Sequence, residues 1–129
     1  MKKTTMNIWD GSISHCNSWK EAGLECGIRI DGSPLIKGPE NVEWIRKQHH
    51  FDGITVFTDR FFHRDTILSV DSPFKVGLLI EPIAVYKRSY RDAENAEDLL
   101  DFIFTFNKRL INKDPSKYKF IPADWCCVE

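Results

Sequence analysis

The sequence contains no long hydrophobic run. Its longest nearly uninterrupted one, Val76 to Ile80 before Glu81, is far short of the roughly 20 apolar residues that a bilayer helix needs. No membrane span is expected. Glycine-rich phosphate loops are also missing: neither G-x-G-x-x-G nor G-x-x-x-x-G-K occurs, which disfavours a dinucleotide or P-loop site of the usual kind. Without a G-x-S-x-G elbow or a C-x-x-C pair, hydrolase and thiol-redox chemistry are disfavoured too. His15, His49, His50 and His63 have no metal-ligand spacing, and adjacent His49 and His50 cannot both face one ion from a regular helix. The pair reads as a solvated helix end. No metal and no cofactor are expected. A strong charge of either sign is lacking as well. The 18 basic and 19 acidic residues are interspersed and leave a formal net charge of −1, so no field steers the chain to a polyanion. Nucleic acid is not an expected partner.

Apolar residues make up 42% of the 129 positions and charged residues 29%, which is the composition of one globular domain spanning residues 1–129. Lys2 and Lys3 give a basic start, but Asn7, Asp10 and Ser12 interrupt any signal-peptide core. A cytoplasmic location follows. Cys16, Cys26, Cys126 and Cys127 suit neither a zinc site nor a disulfide framework and are read as thiols.

Aromatic and β-branched residues cluster in short stretches bounded by polar or turn-forming residues, giving expected strands over 4–9, 54–57, 75–80, 102–106 and 118–121, with another over 26–30. The consecutive apolar residues of 75–80 suit a central strand covered on both faces. Helices are expected over 18–25, 39–48 and 93–100, with a shorter one from Asn107. The second has Val42, Ile45 and Trp44 towards one side and Pro39 in its first turn. Strands alternating with helices, joined by connections too long for hairpins, predict an α/β fold. It is a Rossmann-like, open, mostly parallel sheet with helices on both faces.

In such a sheet ligands bind beyond the carboxyl ends of the strands, where helix amino termini and loop amides converge. The residues at those positions are Asp10, Ser12, Ser14 and His15 after the first strand, and Thr58, Asp59 and Arg60 after the second. Glu81 and Pro82 follow the third, Asn107 and Lys108 the fourth, and Asp124 the fifth. Glu81 closes five apolar residues. Partial desolvation there would lift its carboxyl toward the range of a general base. The alternative is structural: an ion pair with Arg60, or a cap for the turn begun by Pro82. Asp59 and Arg60 suit ligand hydroxyls or a phosphate, or a salt bridge within the chain.

The segments Ile54-Thr55-Val56-Phe57-Thr58-Asp59-Arg60, Lys75-Val76-Gly77-Leu78-Leu79-Ile80-Glu81-Pro82, Phe102-Ile103-Phe104-Thr105-Phe106-Asn107 and Tyr118-Lys119-Phe120-Ile121-Pro122 together resemble the amino-terminal half of phage and bacterial glycosyltransferase-like proteins. These proteins in turn resemble the fucosyltransferases of glycosyltransferase family 10. The resemblance covers about residues 50–125, and Trp9-Asp10 with Ser12, Ser14 and His15 fits the opening segment. It implies one half of a GT-B architecture, the acceptor-binding domain of an enzyme that moves a sugar from a nucleotide sugar to a glycan hydroxyl. Glu81 matches the glutamate thought to deprotonate the acceptor. Asp10, Ser12, His15, Thr58, Asp59, Arg60, Pro82 and Asn107 would line the ligand site. The nucleotide-binding carboxyl-terminal domain has no counterpart in these 129 residues, and the Gly-rich turn of the family is replaced by Ala123-Asp124-Trp125-Cys126-Cys127-Val128-Glu129. A partner domain or a second copy of the chain is therefore an expected partner, beside a glycan acceptor or a sugar nucleotide. The alternative is a stand-alone, non-catalytic binding or interaction module, of viral origin for instance, that binds a sugar or a nucleotide.

Overall fold

The computed structural model describes residues 2–10 and 42–121. These form six strands, β1 (Thr4–Trp9), β2 (Val42–Arg46), β3 (Ile54–Thr58), β4 (Phe74–Leu78), β5 (Phe102–Thr105) and β6 (Tyr118–Phe120), with helices α1 (Arg64–Leu68), α2 (Lys87–Ala96) and α3 (Lys108–Lys113). The strands make one sheet in the order β2-β1-β3-β4-β5-β6, and every pairing is parallel. This is the open, Rossmann-like α/β sheet that the alternating pattern predicts. Strand order reverses between β1 and β3, because the chain leaves β2 at one edge and re-enters the sheet on the other side of β1.

β4 lies in the middle, as the consecutive apolar residues of 75–80 imply. Val76 packs on one face with Ile8 and Val56. Neighbouring Gly77 faces the other, where the ring of Phe62 occupies the space that a Cβ would need. On that second side Phe57, Phe62, Ile67, Leu79, Tyr90, Ala93, Ala96, Ile103, Leu110 and Tyr118 form the main core. Among the described residues all three α-helices contribute to this core, and the Ile8, Val56 and Val76 cluster is built from strand residues.

Two expected helices are corrected. The stretch read as a helix over 39–48 contains strand β2, so His49 and His50 follow a strand and do not end a helix. The reason is the company that Trp44 and Arg46 keep. They sit opposite Met6 and Ile8 on one side of the sheet, whereas two residues apart on a helix they would diverge by about 200°. Pairing along β1, together with the strand preference of Val, Trp and Ile, outweighs a weak helical pattern. The helix expected over 93–100 begins earlier, at Lys87, and tightens into a 3-10 turn over Glu97–Leu99. Its buried stripe is Tyr90, Ala93 and Ala96 with Ser89, and apart from Tyr90 these are small residues that carry a weaker hydrophobic pattern than Leu99 and Leu100. α1 was not anticipated. The helix expected from Asn107 is α3, which Asn107 caps. The helix expected over 18–25 and the strand over 26–30 lie outside the described residues.

The β2–β3 connection is a strap, not a helix. Residues 47–53 cross β1, and buried Asn7 holds them. Its Nδ2 donates to Gln48 O at 2.9 Å and its Oδ1 accepts from Gln48 N at 3.0 Å. The same Nδ2 reaches Thr55 Oγ1, which donates to Ser72 Oγ, which donates to Gly53 O. The strap also pairs with the segment after α1: Asp71 N donates to His49 O and Phe51 N to Asp71 O. Among the described residues no helix is long and apolar enough to cross a membrane.

The tight approach of Phe62 to Gly77 sets a test. A Cβ on Gly77 would lie 2.5 Å from Phe62 Cε1 and 2.6 Å from Cζ. Gly77→Ala is therefore expected to destabilise the fold by about 1–3 kcal/mol, the usual cost of overpacking. Chemical denaturation checks this; an unchanged midpoint would mean that Phe62 moves aside freely.

Candidate functional site

The carboxyl ends of the strands are joined side by side through polar groups. At the β2 end the Arg46 guanidinium, fully buried, meets buried Asp10 just past β1. Nε donates to Asp10 Oδ1 at 2.6 Å and Nη2 to Asp10 O at 3.0 Å. From β1 the link passes to β3, where Thr58 Oγ1 donates to Trp9 O at 3.1 Å. From β3 it passes to β4. Asp59, in the 3-10 turn Asp59–Phe61, accepts at Oδ1 from the backbone amides of Ile80 at 3.0 Å and Glu81 at 3.1 Å. β4 meets β5 where Leu79 N donates to Phe104 O. Further along, Ile121 N donates to Thr105 O.

The expected site residues are thereby sorted. Thr58 ends β3, and Asp10, Asp59, Arg60, Glu81, Pro82 and Asn107 lie beyond strand ends on the same rim, while Ser12, Ser14, His15 and Asp124 are outside the described residues. Asp10 is committed to Arg46 and Thr58 to Trp9. Asn107 Oδ1 accepts from Leu110 N as the cap of α3. Pro82 opens a turn in which its carbonyl accepts from Val85 N and Tyr86 N. Arg60 is exposed, with its guanidinium carbon 5.5 Å from the centre of the Tyr86 ring.

Glu81 requires a correction. Its side chain was expected to be partly desolvated, but the residue is exposed: the chain leaves the sheet after Leu78 and bends outward at Glu81. Its main chain is nonetheless held at both ends, the amide by Asp59 and the carbonyl by the Tyr90 hydroxyl at 2.8 Å. The desolvated carboxylate of the rim is Asp59. Burial pushes its carboxyl up from 3.8 to about 6, and the nearby charge of Glu81 adds to the rise. The Glu81 and Ile80 amides and the Arg60 charge pull the other way.

Beside Asp10 an aromatic group fills the β1/β3 switch point. Trp9 stacks on Phe57 with ring centres 6.4 Å apart and meets His49 and Phe61 edge-on. Lys47 Nζ lies 4.9 Å from the centre of the Phe61 ring, and Lys47 takes a left-handed backbone with φ 51°. The Trp9 indole N–H is buried without a hydrogen-bond partner among the described residues. Arg46, Trp9 and Tyr90 were missed from sequence. Arg46 gave little signal, because the short Val-Glu-Trp-Ile-Arg stretch does not alternate and its pairing with Asp10 is a long-range contact. Tyr90 gave no signal, because its contact with Glu81 O is a tertiary accident of where α2 lies.

Among the described residues no group of three or more His, Cys, Asp or Glu side chains is arranged to hold a metal ion. Comparison of the chain with protein-family models, with curated proteins and with solved structures found no significant match.

Two outcomes are expected at this rim. Arg46→Ala leaves Asp10 as a buried unpaired charge and should cost about 3–5 kcal/mol, read by denaturation. For Asp59 the folded carboxyl titrates above its ordinary value. Its stabilising contribution is then fully present below about pH 4 and lost as pH rises through about 6. The melting temperature of the wild type relative to Asp59→Asn should accordingly decline between those values. A difference that stays flat with pH would show that Asp59 is not desolvated.

Proposed function

We propose that the chain is the acceptor-binding, amino-terminal half of a GT-B glycosyltransferase that transfers a sugar from a nucleotide sugar to a glycan hydroxyl, with Glu81 as general base. The observation that supports this reading most is the state of Glu81: an exposed carboxylate at the carboxyl end of a central parallel strand, on a backbone tied at both its amide and its carbonyl. Ligands of open parallel sheets meet this edge. A base acting on a bound hydroxyl needs a reachable carboxylate whose position is fixed before the acceptor arrives.

The chemistry is simple to balance. The acceptor O–H bond breaks as its proton passes to the Glu81 carboxylate. The freed oxygen bonds to the anomeric carbon, and the nucleotide leaves with the bonding pair from the opposite face. The chain's own residues supply the first of these events, and the domain that holds the nucleotide sugar supplies the leaving group. Exposed Arg60 stands beside the same edge, where a guanidinium suits sugar hydroxyls or an anionic substituent.

A ligand-detected screen of the chain against simple glycans, free nucleotides and nucleotide sugars tests the reading. Binding of a glycan without nucleotide is expected, weakened on the order of tenfold by Glu81→Gln, the worth of one hydrogen bond to a charged group. Tight binding of a nucleotide by these residues alone would overturn it and favour a stand-alone module that sequesters a nucleotide or a sugar.

A further inference from the structure

We infer that Asp59 is a positioning residue for Glu81: its carboxylate clasps the Ile80 and Glu81 amides and so fixes where the Glu81 side chain leaves the rim. The functional weight of this inference rests on the acceptor-binding reading, and its geometry stands independently. Three observations carry it. One carboxylate oxygen accepts from two consecutive amides, at 3.0 and 3.1 Å, a chelating arrangement that fixes both the position and the direction of the chain as it leaves β4. Asp59 is itself attached to the sheet. It follows Thr58, which is paired with Leu78 in the sheet and bonded to Trp9 O through its side chain, so the clasp is anchored to β1, β3 and β4 together. Finally, the Glu81 carbonyl is held from the opposite side by the hydroxyl of Tyr90, 2% exposed on α2.

The two amides lie beyond the last ladder position of β4, which pairs Leu78 with Thr58 and Phe104, and both donate to Asp59. A buried aspartate costs desolvation, and the fold accepts that cost here because two amides and the Arg60 charge offset part of it. Among the described residues, the charged groups that act on the Asp59 carboxyl are Glu81 from the β4–α2 connection and Arg60 from the same turn as Asp59, and the Tyr90 hydroxyl donates to the Glu81 carbonyl. Asparagine at position 59 would keep an oxygen for both amides and lose the charge. Alanine would keep neither.

Amide hydrogen exchange and nuclear magnetic resonance on the free chain test this without any substrate. Asp59→Ala is expected to lower the protection of the Ile80 and Glu81 amides about tenfold or more, with the amides of Val76 and Ile103 unchanged as a control for folding, and Asp59→Asn to restore it. In the wild type the Ile80 and Glu81 amide resonances should shift with a midpoint near pH 6. That shift should vanish in Asp59→Asn and survive in Glu81→Gln, which excludes titration of Glu81 itself as its source. Unchanged protection in Asp59→Ala overturns the inference. If that variant does not fold, wild-type Ile80 and Glu81 amides whose resonances show no titration anywhere across the carboxyl range, from about pH 3 to about pH 8, overturn it instead. A clasp that fails while glycans still bind removes the positioning role alone; an intact clasp with no glycan binding removes the acceptor reading alone.

Discussion

The architecture depends on one passage: the chain must leave β2 at the edge of the sheet and cross β1 to begin β3. Most crossovers of this kind are made by a helix, whose own backbone bonds are satisfied internally. Here seven residues make it as a strap, and a strap needs partners for its amides and carbonyls. Asn7 provides them at Gln48, using both ends of its amide there and linking to Thr55 behind it, and the Asp71 backbone serves His49 and Phe51. A buried asparagine in the middle of a strand is costly unless all of its polar atoms are used. Its full engagement is why the strand order can reverse at β1, and the reversal is what brings the ends of β1 and β3 to one switch point.

Electrostatics at that edge follow from the same geometry. Asp10 and Asp59 both stand just past parallel strands and both are buried, yet they are handled differently. Asp10 meets a guanidinium and the pair neutralises itself. Asp59 meets amides, which carry only partial charge, so burial prevails and its carboxyl rises toward 6. Glu81, one strand further along, escapes burial altogether. Three acids, two directly after their strands and one three residues beyond β4, thus become a structural ion pair, a buried clasp and an exposed carboxylate, according to what each strand end faces.

The sheet was legible because parallel strands announce themselves in short apolar runs. The stretches 4–9, 54–57, 75–80, 102–106 and 118–121 each overlap an observed strand, and the consecutive run of 75–80 correctly marked a central one. β2 was misread because five residues carry too little periodicity to separate helix from strand, and what decides it is Trp44 and Arg46 lying beside Met6 and Ile8. The rim could be read as a set, since strand order in the chain already puts these residues at carboxyl ends. Their individual states could not. Whether an acid is buried depends on neighbours far away in sequence, such as Ile80 for Asp59 and Arg46 for Asp10, and the acid that is desolvated is Asp59, 22 positions before Glu81.

That displacement bears on what the rim is suited to do. A buried carboxylate already bonded to two amides has one oxygen engaged, and an acceptor hydroxyl would have to compete for it. An exposed carboxylate is free to receive a proton but is usually mobile, and mobility is what a base can least tolerate, because a misplacement of about 1 Å is enough to cost two orders of magnitude in rate. The arrangement at β4 separates the two requirements: Asp59 and Tyr90 hold the peptide on either side of Glu81, and the Glu81 side chain remains in solvent. Under the proposed reading the rigidity of the site comes from the acid that does no chemistry, and its reactivity from the acid that does no structural work.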